Sequence, residues 1–217
     1  MDPAIATTLV LARHGETDWN AERRLQGHQD PPLNALGTQQ AEELAAALQD
    51  ETFHAVYSSD LRRALQTADA VVARQPPGMK VISTLQLRER RLGVLEGLTI
   101  AEAARLRAGA FAQLRAHDED TRVEGGESVR EMRGRVVAEV ERIAAAHPGQ
   151  TILVVAHGGV LHAVYRQCCG HAYDGGIANA SLHRIRVQGR AWAMLEWNVT
   201  KTHAQPSSNF GGGASEG

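Results

Sequence analysis

The 217-residue sequence lacks a strong charge of either sign, because its net charge at pH 7 is −2 and its isoelectric point is near 6.6. It therefore provides no broad electrostatic field that would attract nucleic acid or an anionic membrane. The apolar stretch near the N-terminus, Leu9 to Ala12, is too short for a signal peptide or a membrane span. We expect a cytoplasmic protein that binds a small molecule, with neither nucleic acid nor a membrane as its partner.

Cysteine is scarce as well. The two cysteines, Cys168 and Cys169, are adjacent, so a disulfide between them would be strained and no C-x-x-C spacing is available for zinc or redox chemistry. The sequence contains no His-x-x-x-His or His-Glu-x-x-His spacing, no Walker A loop and no G-x-G-x-x-G after a strand. Reduced thiols in a cytosol fit this pattern. The sequence therefore predicts no metal site and no cofactor.

The chain does contain a regular alternation of two kinds of segment. Short β-branched or aliphatic runs alternate with longer segments of helical period, which predicts strands joined by crossover helices. The predicted strands are Thr7 to Ala12, Ala55 to Tyr57, Val81 to Ile82, Thr151 to Ala156, and a hairpin of Ser181 to Val187 with Trp192 to Trp197. The first and fourth of these are apolar enough to be buried on both faces, so we place them centrally in the sheet.

Three helices are predicted with some detail. Two cover Leu36 to Leu48 and Leu61 to Ala73, and a third begins at a capping box formed by Ser128 and Glu131 and ends at His147. In the second helix, one apolar stripe is formed by Leu61, Leu65, Ala68 and Val72.

These elements predict an α/β fold. We expect a three-layer sandwich whose mostly parallel sheet has an antiparallel edge and helices on both faces, with a small cap built from long loops. A chain of 217 residues with 43% hydrophobic content is enough for one domain, which we assign to residues 1–200 with a cap excursion at about 90–127. Residues 201–217 are rich in Gly and Ser and are expected to form a disordered tail.

Candidate site residues follow the predicted strands. In open α/β sheets the ligand crevice lies beyond the carboxyl ends of the strands. The first strand runs into Arg13 and His14, and the fourth runs into His157. Arg63 lies in the first turn of a helix that follows another strand, and Glu89 follows the strand at Val81 after a short loop. The sequence therefore predicts two arginines, two histidines and one acid in a single crevice.

This set of side chains suits a phosphate dianion, because guanidinium groups pair with phosphate oxygens in bidentate fashion. A neutral imidazole is a competent nucleophile near pH 7, since its reference pKa is about 6.5. Glu89 would protonate the leaving oxygen and later activate water. No step of this scheme requires a metal ion.

Each residue also has a structural alternative. Arg13 and His14 taken singly would suit a buried salt-bridge partner and a core imidazole. Arg63 would suit a solvated helix charge, and Glu89 a surface ion-pair cluster with its neighbouring arginines, worth about 0–1 kcal/mol per pair. The concurrence of Arg13, His14 and His157 favours the catalytic interpretation.

Four segments carry a resemblance to a known family: LARHGETDWN (11–20), SSDLRRALQTA (58–68), LRERRLGVLEG (87–97) and VVAHGGVL (154–161). In this order they resemble the histidine phosphatase, or phosphoglycerate mutase-like, superfamily. The resemblance implies a phosphohistidine at His14, with Arg13, Arg63 and His157 around the phosphoryl group and Glu89 as proton donor. Further phosphate- or substrate-binding positions of the family match Asn20, Gln26, Gly27 and Gly158.

The superfamily contains mutases and phosphatases, and departures from its mutases distinguish the two. The chain has Leu92 and Ile100 where mutases that use a bisphosphoglycerate primer have a tyrosine and a lysine, and its segment 111–115 (FAQLR) has one arginine where those mutases have a pair. We therefore favour a broad-specificity phosphatase acting on phosphomonoesters. A phosphoglycerate mutase-type phosphoryl transfer is the alternative enzyme, and a non-catalytic phosphate-binding regulatory module is the alternative of another class. The sequence defines neither the physiological phosphoester nor the oligomeric state.

Overall fold

The computed structural model describes residues 5–116 and 118–200, so the expected tail at 201–217 lies outside the described residues. Six strands form one sheet: β1 (Thr7–Arg13), β2 (Ala55–Ser59), β3 (Val81–Thr84), β4 (Thr151–Ala156), β5 (Leu182–Gln188) and β6 (Ala191–Val199). Their order is β3-β2-β4-β1-β5-β6, in which the first four strands pair in parallel and β5 pairs antiparallel with both β1 and β6. The predicted α/β class, with a mostly parallel sheet and an antiparallel edge, is confirmed.

β1 and β4 occupy the centre of the sheet, as their continuous apolar sequences predicted. Their core residues are fully buried, because helices cover both faces of the sheet. The two strands pair in parallel with Leu9 opposite Ile152 and Arg13 opposite Ala156. The residues that follow, His14 and His157, are consequently neighbours at one edge of the sheet.

Seven helices accompany the sheet in the described residues: α1 (Asp18–Ala21), α2 (Ala35–Ala47), α3 (Arg62–Val72), α4 (Ile100–Leu106), α5 (Ala108–Arg115), α6 (Val129–Ala146) and α7 (Gly158–Cys169). α2 and α3 pack on one face of the sheet, and α6 and α7 pack on the other. Two short 3₁₀ turns, η1 (Leu85–Leu87) and η2 (Gly93–Leu95), follow β3. The expected three layers are present.

The predicted capping box of α6 is present, because the Ser128 hydroxyl accepts from the Glu131 N–H and the Glu131 carboxylate accepts from the Ser128 N–H. The predicted apolar stripe of α3 is wrong in part, since Leu65 and Val72 are only half-buried. The residues of α3 that are buried are Arg63, Ala64, Thr67, Ala68 and Val71. Small alanines allow α3 to lie close to the sheet. The face of α3 that is buried is therefore the one that permits this close packing, and not the one with the largest apolar side chains.

The excursion expected at 90–127 is not made of loops alone, because it contains α4 and α5. Both helices pack around a small apolar cluster, which is formed by Leu25, Leu92, Leu95, Ala103 and Val123. Thr99 and Glu102 form a capping box at the start of α4. This segment and Leu25 thus share a small core, which is separate from the two cores that flank the sheet.

The loop after His14 lies directly against the start of α2. A Cβ atom on Gly37 would overlap the carbonyl oxygen of Glu16, and one on Gly15 would overlap the carbonyl oxygen of Gly37. Both obstacles are backbone atoms, which a side-chain rotation cannot move. The two glycines therefore permit the close contact that holds the loop after β1.

We expect Gly37→Ala to lower the free energy of unfolding by about 1–3 kcal/mol, the range for an overpacked site. Gly134→Ala is the matched control, since an added Cβ there has no atom within 4 Å on the exposed side of α6. It should stabilise the protein by about 0.5–1 kcal/mol through helix propensity. Urea unfolding of both variants measures the two effects, and equal stability of Gly37→Ala and wild type would contradict the tight contact.

Candidate active site

The two histidines predicted at neighbouring strand ends lie side by side. The ring centroids of His14 and His157 are 5.1 Å apart, with an angle of 60° between the ring planes. Both residues are buried, as are Arg13 and Arg63. The register of β1 against β4 brings the histidines together, and α3 supplies Arg63 from its first turn. The structure therefore gathers four of the five predicted residues at one strand edge.

The His14 ring has a defined tautomer. Its Nδ1 lies 2.6 Å from the carbonyl oxygen of Gly15, and a carbonyl can only accept, so Nδ1 carries the proton and donates it. The other ring nitrogen, Nε2, then bears the lone pair as long as the ring is neutral.

Burial lowers the pKa of His14 well below its usual 6.5, and the positive charges of Arg63 and Arg13 lower it further. The pKa of His157 is lowered well below 6.5 in the same way, by burial first and then by Arg63. Burial also lowers the pKa values of Arg13 and Arg63 to about 10, which leaves both guanidinium groups cationic near pH 7. The crevice therefore combines two neutral imidazoles with two buried positive charges.

Arg63 is 1% exposed, which excludes the alternative of a solvated helix charge. Its Nη1 donates to the carbonyl of Gln29 at 2.8 Å and its Nη2 donates to the carbonyl of Gly27 at 3.1 Å. Within the described residues, its Nε has no hydrogen-bond partner. The guanidinium is thus held by the loop after α1 and keeps one buried donor for a ligand.

His157 is fully buried, and neither of its ring nitrogens has a hydrogen-bond partner in the described part of the chain. A buried polar group without a partner costs about 1–3 kcal/mol, so such groups are rare outside functional sites. Its position beside His14 and at the N-terminal end of α7 makes it available to an anion in the crevice.

Glu89 lies in the loop after η1 and reaches the same place. Its Oε2 accepts from the N–H of Gly159 at 3.0 Å, and its Oε1 accepts from the N–H of Arg90 at 2.7 Å. A Cβ built on Gly158 would lie 3.9 Å from Glu89 Oε2 and 3.8 Å from Arg13 Nε. The acid and the arginine therefore meet at the first residue of α7.

The surface ion-pair cluster considered for Glu89 is not formed. Arg88 pairs with Asp60 at 2.5 Å, and Arg90 donates through its side chain to main-chain carbonyls. Within residues 5–116 and 118–200, no ion pair joins the Glu89 carboxylate to a neighbouring arginine. The carboxylate is instead directed toward α7.

The four further candidates are placed differently. Gly27 has a positive φ of 51° and offers its carbonyl to Arg63. Gln26 is buried beside it, and its Oε1 has no partner in the described residues. The Asn20 Oδ1 accepts from the backbone N–H and the hydroxyl of Thr17, so this oxygen caps α1. Gly158, which lies between Glu89 and Arg13, is the one of the four that adjoins the acid.

Sequence reasoning missed three residues that hold this arrangement. Asn179 donates through Nδ2 to the His14 carbonyl at 2.9 Å, and Thr67 accepts from the Gly15 N–H at 3.1 Å. Gly159 binds Glu89 and leaves room for its carboxylate, which a Cβ atom would overlap. Thr67 lies one helical turn after Arg63, and this spacing was a usable signal. Asn179 had none, because it is 165 residues from its partner.

The described residues contain no group of three or more His, Cys, Asp or Glu side chains that could hold a metal ion. Among the same residues, no helix is long and apolar enough to cross a membrane. The buried nitrogen atoms without a partner beside His14, among the residues that the structure describes, include Arg63 Nε and both ring nitrogens of His157. Such a crevice defines a receptor for a phosphoryl group.

The comparisons with known proteins agree with this geometry. The chain belongs to the histidine phosphatase superfamily (branch 1), whose family model matches residues 9–200. The resemblance inferred from the four sequence segments is confirmed.

The relatives include a mutase-like protein and phosphatases. The chain is 36% identical to phosphoglycerate mutase-like protein 4 of Arabidopsis thaliana, over 96% of this chain and 94% of the relative. It is 37% identical to the metal-independent phosphoserine phosphatase of the same plant, over 88% of this chain and 81% of the relative. A mycobacterial glucosyl-3-phosphoglycerate phosphatase, solved with VO3, has a TM-score of 0.78 and 33% identity, over 88% of this chain and 98% of that one.

We expect His14 and His157 to remain neutral when the pH is lowered from about 7.5 to about 5.5, because burial and the arginines oppose their protonation. Long-range ¹H–¹⁵N spectra, assigned with His14→Gln and His157→Gln, should show the Nδ1–H tautomer for His14. The chain in concentrated urea is the control, since free histidines titrate near 6.5. Protonation of either ring near pH 6.5 in the folded protein would contradict the electrostatic description.

The same shifts couple to stability. Below pH 6.5 the unfolded chain binds protons that the folded chain excludes, so the free energy of unfolding is greatest above that pH and falls as the pH drops. Each histidine contributes up to about 1.4 kcal/mol per pH unit in this window. The free energy of unfolding, measured with urea at several pH values, should therefore depend less steeply on pH for His157→Gln than for wild type.

Proposed function

We propose that the chain is a metal-independent phosphomonoesterase that hydrolyses small phosphomonoesters through a phosphohistidine on His14. The observation that carries the proposal is the buried His14 ring, whose Nδ1 is hydrogen-bonded to the Gly15 carbonyl, which leaves Nε2 as the nucleophilic nitrogen, and whose centroid lies 5.1 Å from that of His157. Membership of the superfamily supports the same chemistry.

In the first step, Nε2 of His14 attacks the phosphorus and the ester oxygen leaves with a proton from Glu89. Arg13 and Arg63 offset the charge of the phosphoryl oxygens, and His157 donates to one of them. α7 begins at Gly158, directly after His157, so the positive end of its dipole lies in the same region. The bond to the leaving oxygen breaks as the bond from phosphorus to nitrogen forms.

In the second step, water attacks the phosphohistidine and Glu89 removes its proton. The carboxylate reverses its role between the two half-reactions, as one group can when it stays beside the reacting oxygen. Its contact with the Gly159 N–H holds it at the beginning of α7, next to Gly158 and Arg13. Asn20, Gln26, Gly27 and Gly158 would complete the phosphate and substrate contacts.

The cap favours hydrolysis over mutase activity. Leu92 is buried in the cap cluster and Ile100 packs against it. Neither position therefore offers the hydroxyl or ammonium group that would retain a released acid for rephosphorylation. We propose that residues 90–127 cover the crevice and that the acceptor is water.

We also propose that the enzyme acts in the cytoplasm on small molecules and does not bind nucleic acid. The near-neutral net charge and the two free cysteines, Cys168 and Cys169, support this setting.

A phosphate-release screen over a panel of phosphomonoesters tests the activity, with and without a bisphosphoglycerate primer. We expect turnover in the presence of EDTA and inhibition by vanadate, because charged donors arranged for a phosphoryl transition state also hold a trigonal-bipyramidal oxyanion. Loss of activity on chelation, with recovery on adding Mg²⁺ or Zn²⁺, would overturn the metal-independent scheme. Dependence on the primer would instead identify a mutase.

We expect Glu89→Gln to lower kcat/KM for an alkyl phosphate by about 10²–10⁴-fold, the usual contribution of a general acid. p-Nitrophenyl phosphate should be nearly unaffected in kcat/KM, since nitrophenolate leaves without a proton. A phosphoenzyme that is acid-labile and base-stable should accumulate in rapid-quench experiments, because water has lost its base. His14→Ala, which should form none, is the control. Equal effects on both substrates, without accumulation, would exclude Glu89 as the proton carrier.

A further inference from the structure

The backbone that presents Glu89 belongs to no strand or helix. It follows η1, and residues 88–91 have no regular secondary structure. The carbonyl groups of such a segment need partners from elsewhere in the chain, or they remain free to move with solvent. The position of the Glu89 carboxyl therefore depends on whatever holds these carbonyls.

The guanidinium of Arg135 in α6 supplies those partners. Its Nη1 donates to the carbonyls of Gln86 and Arg88, both at 2.8 Å, and its Nη2 donates to the carbonyl of Glu89 at 2.9 Å. Three carbonyls within four residues are thus bound by one side chain.

Glu127 completes the arrangement. Its Oε1 accepts from Arg135 Nη2 at 2.5 Å and its Oε2 accepts from Arg135 Nε at 3.1 Å. The same Oε1 accepts from the N–H of Arg91 at 3.0 Å. All five N–H donors of the guanidinium are matched to acceptors, and the backbone is held on both sides of Glu89.

The pair is shielded from solvent, since the side chains of Arg135 and Glu127 are 17% and 18% exposed. Charge-assisted hydrogen bonds in such a setting are stronger than those of exposed pairs. His28 adds one bond, from its Nε2 to the Glu89 carbonyl at 2.9 Å. Lysine could replace Arg135 only in part, because an ammonium group has three donors and no planar fork.

The position of α6 itself does not rest on Arg135. Its apolar side chains Met132, Val136, Val140 and Ile143 are buried in the main core, and its first turn is closed by the capping box of Ser128. The Arg135 guanidinium bonds only to the Glu89 loop and to Glu127 among the described residues. Its loss should therefore loosen the loop and leave the helix in place.

We propose that Arg135 is a positioning residue for the reaction: it fixes the backbone of residues 86–89 so that the Glu89 carboxyl stays within reach of the leaving oxygen. The inference rests on the proposed function, in which Glu89 is the proton donor. Arg135 touches neither the substrate nor His14. It acts through the placement of the acid.

The dependence of kcat/KM on the leaving group distinguishes a positioning role from a merely structural one, because a structural defect would slow both kinds of substrate. kcat/KM includes phosphoryl transfer to His14 but not the later hydrolysis of the phosphohistidine. Arg135→Met keeps an apolar stem and removes all five donors. We expect it to lower kcat/KM for an alkyl phosphate by about 10–100-fold, the scale for a misplaced catalytic group, and that for p-nitrophenyl phosphate by less than about threefold. Arg135→Lys should recover only part of the loss.

A double-mutant cycle tests the mechanism directly. In a Glu89→Gln background, Arg135→Met should cause no further loss with the alkyl phosphate, because there is no acid left to misplace. Arg130→Met is the matched control: Arg130 lies on the same helix and pairs with Asp120 at an exposed position, so it should leave the substrate ratio unchanged. Thermal unfolding verifies that each variant is folded. If Arg135→Met does not fold, Arg135→Lys replaces it in the comparison of the two substrates.

The possible outcomes distinguish failure of the positioning role of Arg135 from failure of the proposed function. An equal loss for both substrates, no loss, or additive losses in the cycle would overturn the positioning role of Arg135. If Glu89→Gln changes the substrate ratio and Arg135→Met does not, the inference fails while the proposed function stands. If Glu89→Gln leaves the ratio unchanged, Glu89 is not the acid and the inference fails together with that role, whereas hydrolysis through His14 is tested separately by phosphate release and by the phosphoenzyme.

Discussion

The parallel pairing of β1 with β4 is the constraint on which the rest of the site depends. Both strands are buried on both faces, and their register sets Arg13 beside Ala156, so the chain continues into His14 on one strand and His157 on the other. A slip of one residue would exchange the two faces of a strand and separate the imidazoles. The apolar residues of these strands carry no reactive group, but their pairing fixes the distance between the two histidines.

Burial of charge is the second consequence of this position. Arg13 and Arg63 are taken out of water, which is costly unless their donors are matched. Main-chain carbonyls match part of them: Ile177 accepts from Arg13, while Gly27 and Gln29 accept from Arg63. The nitrogens of Arg63 and His157 that have no partner in the described residues then provide buried donors already positioned to bind an anion. A bound phosphoryl group would satisfy groups that the folded chain leaves without partners.

Sequence reasoning reached the strand ends because parallel strands of one sheet deliver their following residues to a common edge. It also found the capping box of α6, a local pattern of two residues. It expected loops across 90–127, although the box of Thr99 and Glu102 marked the start of α4. Asn179 and Arg135 could not be found in this way, since their hydrogen bonds join positions 165 and 46 residues apart. Contacts of that kind have no period, and only the tertiary structure brings their members together.

The apolar cluster at α4 and α5 is separate from the two cores that flank the sheet, and this separation bears on why the relatives include a mutase-like protein and a phosphatase. The strand-end histidines are fixed by the sheet, whereas Leu92 and Leu95 lie in the cluster under α4 and α5. A mutase and a phosphatase can share one phosphohistidine and differ only in whether an organic acid or water accepts the phosphoryl group. That difference depends on how long the released product is retained and how readily water enters. On the proposal that residues 90–127 cover the crevice, both depend on that segment, so substitutions there can change the outcome without disturbing the pairing of β1 and β4. Relatives of about 36–37% identity named for a mutase-like protein and for a phosphatase are what this division would produce.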